Sequence, residues 1–217
     1  MKVSKWEKET ELEHIDRMEE KSGPNQCKYQ YMANLLMSKW RDFAFEIESS
    51  SPSFSALDVG GGPLGGALPL CKLAISTMKS GVLLDPLVDE YREIPDCPKL
   101  PDYIQPIKGF SDDIPFEDNK FDVVFNWECL DHCDNLDIFK KSIKESIRVL
   151  KKDGMIFFEM PIRDKLVAGH PIHTGIISVE EIIGLFEQEG LYCHKKEMAP
   201  NTYGSPRPLM IIGSKSG

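Results

Sequence analysis

Ala56-Leu57-Asp58-Val59-Gly60-Gly61-Gly62-Pro63-Leu64-Gly65-Gly66 sets the architecture expected of this chain. An apolar run of strand length ends in a cluster of glycines, and Leu68, Leu70, Leu73 and Ile75 then recur with helical character. A glycine turn between strand and helix lets the backbone pass close to a ligand, because a residue without a Cβ adopts conformations barred to the others. Gly60-x-Gly62-x-x-Gly65 formally fits the dinucleotide fingerprint. Alone, that pattern more often marks a plain turn.

Downstream, Val82 to Leu84, Tyr103 to Ile107, Phe121 to Phe125 and Met155 to Met160 read as further buried strands. Between them Asn135 to Leu150 is an amphipathic helix, with Ile138, Phe139, Ile143, Ile147 and Leu150 on one stripe and Lys140, Lys144, Glu145 and Arg148 elsewhere. Lys152-Asp153-Gly154 turns the chain into the next strand. Such alternation predicts an α/β fold with a parallel sheet flanked by helices. After a helix at Val179 to Glu189, the runs Leu191 to Glu197 and Leu209 to Gly213 flank a stretch containing Pro200, Asn201, Gly204, Pro206 and Pro208, which predicts a closing hairpin. Upstream, Lys2 to Glu20 and Tyr29 to Ile47 read as helices broken at Ser22-Gly23-Pro24. We expect residues 1–50 to form an N-terminal helical cap belonging to the same domain as the core at 51–217.

The chain has 217 residues and a formal net charge of −9, with no Lys/Arg-rich block. Binding to a phosphate backbone needs clustered cations, so no nucleic-acid partner is expected. No apolar run approaches the roughly 20 residues that span a bilayer, and Met1 to Glu20 has no apolar signal core. No membrane partner and a cytoplasmic location are therefore expected. Six scattered cysteines, without a C-x-x-C pair, suit reduced thiols.

Asp85 ends the second strand about twenty residues past the glycines, where an acid accepts hydrogen bonds from ribose hydroxyls. From this point the chain resembles the class I methyltransferases that use S-adenosylmethionine (SAM), over roughly Ser55 to Ser214. Asp58 to Gly66 is similar to their first motif and Gly81 to Tyr91 to their ribose-binding second strand. Gly109-Phe110-Ser111-Asp112-Asp113-Ile114-Pro115-Phe116 with Asn119 to Val124, and Arg148 to Gly154, resemble their later strand boundaries. The resemblance implies a Rossmann-like three-layer sandwich, a mainly parallel seven-stranded sheet with an antiparallel last strand. It also implies SAM as cofactor, S-adenosylhomocysteine as product, and a cofactor site of Asp58, Gly60, Gly62, Asp85, Pro86, Ser111, Asp112 and Asn126. Asp58 would help hold the SAM amino group, and Ser111 and Asp112 would meet the adenine edge. One departure is visible: Leu64 stands where the family has a third glycine, and Pro63 has no amide to offer.

Methyl transfer from a sulfonium is an in-line displacement, which needs an aligned acceptor and sometimes a base. Two loops at the carboxyl ends of strands qualify: Asn126 to Cys133, and Arg163 to Ser178. His132, His170 and His173 are the candidate bases, since an ordinary imidazole titrates near neutrality. Trp127, Glu128 and Asp131 are candidate acceptor contacts. Cys129, His132, Cys133, His170 and His173 are also metal-ligand types, but they show no familiar ligand spacing and no metal is expected. The acceptor expected is a small molecule, methylated on oxygen or nitrogen. The competing readings are an NAD(P)-dependent oxidoreductase and a catalytically silent SAM-binding subunit. The oligomeric state is not legible.

Overall fold

The computed structural model describes residues 53–63, 65–74, 77–93, 99–162, 178–198 and 208–215. Among them seven strands form one sheet: β1 (Phe54–Val59), β2 (Met78–Asp85), β3 (Ile104–Lys108), β4 (Phe121–Trp127), β5 (Leu150–Pro161), β6 (Leu191–Met198) and β7 (Pro208–Lys215). Their order is β3-β2-β1-β4-β5-β7-β6. The first five lie parallel, and β7 runs antiparallel to both β5 and β6. The helices are α1 (Leu68–Ala74), α2 (Val88–Arg92), α3 (Leu136–Val149) and α4 (Val179–Gln188), with a 3-10 turn at Leu130–His132. This is the sheet implied by the resemblance, closing hairpin included. The N-terminal helices expected within 1–50, Ile75, His170, His173 and most of the turn-rich stretch before β7 lie outside the described residues.

Parallel strands covered on both faces read as continuous apolar runs rather than alternating ones. Leu57, Val59, Val124, Ile156 and Phe158 point to one face, where Phe139, Ile143 and Ile147 of α3 and Ile182 and Phe186 of α4 bury them. Phe158 meets Phe186 edge-on at 5.0 Å between ring centroids. On the other face Ala56, Leu83, Val123 and Phe125 form a second cluster that includes Leu68 and Cys71 of α1.

Local signals start the helices. Asn135 caps α3 by accepting the Ile138 amide, and Ser178 and Glu181 form a reciprocal capping box at α4. The turn expected at Lys152-Asp153-Gly154 is present but sits inside β5. Leu150 already pairs with Phe121, and the register then shifts so that Met155 pairs with Val123. Asp153 takes a left-handed φ of 61° to absorb the extra residues.

One side chain ties α3 to the segment that leads into β4. Arg148 donates to Glu145, to the carbonyls of Ile114 and Phe116 and to Asp118, while Glu145 Oε2 also accepts the Ile114 amide. The Arg148 guanidinium holds the Glu145 carboxyl below its usual range. Arg148→Met keeps the stem and removes the donors. It is expected to lower stability by about 1–3 kcal/mol in urea unfolding, with faster amide exchange in residues 111–118.

Candidate functional site

The strand order reverses between β1 and β4, whose carboxyl ends open the crevice where open α/β sheets bind ligands. The glycine turn leaves β1 there. Gly60 has a φ of +70°, and a Cβ on it would lie 2.5 Å from the Cβ of Cys129, so the turn packs directly against the loop that follows β4. Its amide donates to Leu84 O at 2.7 Å, tying the turn to β2. Gly62 also has positive φ, yet a Cβ there would meet no atom within 4 Å. The turn is therefore crowded at its base and open along its outer edge.

Asp58 lies beneath it, on the α1 face and fully buried. Its Oδ2 accepts the Ala67 amide at 2.6 Å, one residue before α1, while Oδ1 has no hydrogen-bond partner. A side chain on Gly66 would collide with this carboxylate. Burial pushes the Asp58 carboxyl up to about 8; the amides of Ala67 and Leu68 oppose that, and the charge of Asp85 adds to it. Asp85, at the end of β2, accepts the Gly62 amide on Oδ2 at 3.1 Å and the Leu87 amide on Oδ1 at 2.8 Å. It braces the glycine turn and the turn containing Pro86.

Ser111 and Asp112 lie in the loop between β3 and β4, clamped by α3. Ser111 Oγ lies 2.8 Å from Ser142 Oγ, and Asp112 lies 3.5 Å from Lys141 Nζ. Asn126, in β4, is only 1% exposed; its Oδ1 accepts from Ser146 of α3 and its Nδ2 has no partner. Trp127 is buried in the cluster that holds Phe125 and Phe157. Glu128 follows with a φ of 46°, a conformation that costs a residue with a Cβ roughly 1–3 kcal/mol. Its amide donates to Glu159 O at 3.0 Å. Asp131 is buried, and its Oδ2 lies 3.8 Å from Nε2 of the part-exposed His132. Burial raises the thiols of Cys129 and Cys133, the latter to about 12, so both stay protonated. Among the described residues no three His, Cys, Asp or Glu side chains are placed to hold a metal ion.

The structure thus links Asp58, Gly60, Gly62 and Asp85 to one another and, through Cys129, to the loop after β4 that bears Glu128 and His132, while Ser111 and Asn126 are each tied to α3. Two buried features went unread in the sequence. Glu159, 1% exposed at the end of β5 and paired in register with Trp127, was visible as a lone acid in an apolar run. Ser142 and Ser146, four apart on the buried side of α3, were visible as polar residues in its stripe.

Residues 57–158 match the family described as Methyltransferase domain. Residues 57–158 therefore carry a SAM-dependent methyltransferase domain. Solved structures agree on the fold. One chain of the complex between the Haloferax volcanii Trm112 methyltransferase activator and a proposed methyltransferase is 17% identical, with a TM-score of 0.59 over 87% of this chain and 95% of that one. A structure described as a SAM-dependent methyltransferase of Listeria monocytogenes gives 15% identity and a TM-score of 0.59 over 80% and 97%. The [4+2]-cyclase SpnF gives 16% and 0.58 over 82% and 80%. No curated protein matches the sequence significantly. The domain match sets the nicotinamide-dependent oxidoreductase aside. The residues around the crevice fit SAM: an acid at the end of β2, an open glycine edge and an unused buried amide donor at Asn126. Among the described residues, no helix of this methyltransferase is long and apolar enough to cross a membrane.

Asp58 gives a pH test of this geometry. Below about pH 4 its carboxyl is protonated in both folded and unfolded chains. From there to about pH 8 the unfolded chain releases a proton that the folded chain keeps, so stability falls as pH rises, and above that the loss is complete. Asp58→Asn keeps an acceptor for the Ala67 amide without the charge. The ligand-free variant is expected to gain on wild type between pH 5 and 8 in thermal unfolding; parallel curves would refute the buried neutral acid.

Proposed function

We propose that the protein transfers the methyl group of SAM to a small-molecule acceptor on oxygen or nitrogen, and that residues 1–50 cap the same domain. The observation that carries this reading is the contact of Gly60 with Cys129, which joins the cofactor turn to the loop bearing Trp127, Glu128, Asp131 and His132. Bound SAM supplies an electrophilic methyl on a sulfonium. This chain supplies the positioning. Asp85 accepts from the ribose hydroxyls beside Pro86, Ser111 and Asp112 face the adenine edge, Asp58 favours the amino group from below, and Asn126 offers Nδ2 to the methionine part.

On the acceptor side, Trp127 and Glu128 form the wall nearest the turn, and Asp131 orients His132 to receive the acceptor's proton. His170 and His173, which follow β5 in the sequence, are the alternative bases. A net charge of −9 without a basic block supports a small acceptor over a nucleic acid. The intact polar set of the rim supports catalysis over a silent binding role.

Calorimetry with S-adenosylhomocysteine tests the cofactor placement: Asp85→Ala is expected to lose about 1–3 kcal/mol of affinity while remaining folded. Unchanged affinity would put the ribose elsewhere. For the base, single-turnover transfer to an identified acceptor should fall by ~10²–10⁴-fold in His132→Asn, with a flattened pH profile and undiminished SAM binding. Parental rates and pH profiles in His132, His170 and His173 variants alike would make all three structural.

A further inference from the structure

Ser142 is fully buried on α3. A serine hydroxyl has one proton to give and two sites at which to accept. The carbonyl of Ile138, one turn earlier and 2.9 Å away, can only accept, so it takes the Ser142 proton. Ser111 Oγ, at 2.8 Å, must then donate to Ser142, while the thiol of Cys133, 3.8 Å from Ser142 Oγ and also beside Ser111, completes the cluster. With its one proton given to Ile138, Ser142 has none left for Ser111. The core therefore fixes the proton of Ser111: it points inward to α3, and lone pairs alone face the other way. Ser111 is half-buried rather than covered, in the loop leaving β3, next in the sheet to β2 and its ribose acid. Asp112 beside it carries a carboxylate and offers only acceptors as well.

We propose that Ser142 is a positioning residue that turns Ser111 into a hydrogen-bond acceptor for the exocyclic amino group of adenine, so that the site selects a 6-aminopurine cofactor over its 6-oxo counterpart. The inference rests on the adenine placement proposed above. A 6-amino group donates to Ser111 Oγ without disturbing the buried trio. A 6-oxo group sets lone pairs against lone pairs, and Ser111 can answer it only by withdrawing its proton from Ser142. A buried acceptor is then left unused, which is why sites built around a hydrogen bond discriminate more sharply than apolar pockets.

The test is calorimetric binding of S-adenosylhomocysteine and S-inosylhomocysteine to the full chain in four forms: wild type, Ser142→Ala, Ser111→Ala and the double variant. Wild type is expected to prefer the adenosyl compound by ~10-fold or more. Ser142→Ala releases the Ser111 hydroxyl to donate outward, so the preference should drop several-fold, mainly because the inosyl compound binds more tightly. That gain separates proton placement from a loosened core, which would weaken both ligands alike. Ser111→Ala should also lower the preference, to what Asp112 alone imposes, and the double variant should match it, because Ser142 acts only through Ser111. An unchanged preference in folded Ser142→Ala overturns the proposal. If that variant does not fold, an unchanged preference in Ser111→Ala overturns it instead. Failure of wild type to bind S-adenosylhomocysteine would strike the cofactor placement itself, and the proposal with it.

Discussion

The bond from the Ala67 amide to the buried Asp58 carboxyl is the constraint on which the cofactor end of this domain depends. It joins the end of the central strand to the start of α1 across the whole glycine turn. The close fit of Gly61 and Gly66 around that carboxyl follows from it. A buried acid held mostly neutral at the centre of a fold is a poor choice for stability alone. Local rules are broken in this way where a site demands it, and the surrounding packing compensates. The apolar strands on either side, β2 and β4, supply that compensation through two separately filled faces of the sheet.

The helix α3 is the second organiser. Its apolar stripe closes one core face, while Ser142, Glu145, Ser146 and Arg148 reach the loop before β4 and the end of β4 itself. One rigid element therefore sets the separation of the proposed adenine contacts from the rim of β4. A shift of this helix along its axis would move several site groups together. The positions of Ser111 and Asn126 are for this reason consequences of core packing as much as of loop sequence.

Much of this was legible because it is written locally. Residues 56–66 carry strand, turn and helix signals in one contiguous stretch, and Asp85 follows at the spacing that a strand–helix–strand unit imposes. The antiparallel β7 was legible through the paired runs around a proline- and glycine-rich stretch. The Arg148 clamp was not, since its carbonyl acceptors lie more than thirty residues away and no periodicity marks them. The sequence shows the change of direction at Asp153 but not the pairing before it, because a bulge keeps a strand going where its side-chain pattern stops. Glu159 lies inside the run Met155 to Met160 that reads as a strand, where a single acid carries no periodic signal of its own burial. It is as buried as its neighbours.

The position of β7 has a consequence for how the molecule is made. It is not the outermost strand but lies between β5 and β6, which precede it in the chain. During synthesis β5 and β6 therefore leave the ribosome without the partner that will join them. Until Leu209 to Lys215 arrive, β5 has an open apolar flank and β6 has no place in the sheet. Such unsatisfied edges invite pairing with other chains.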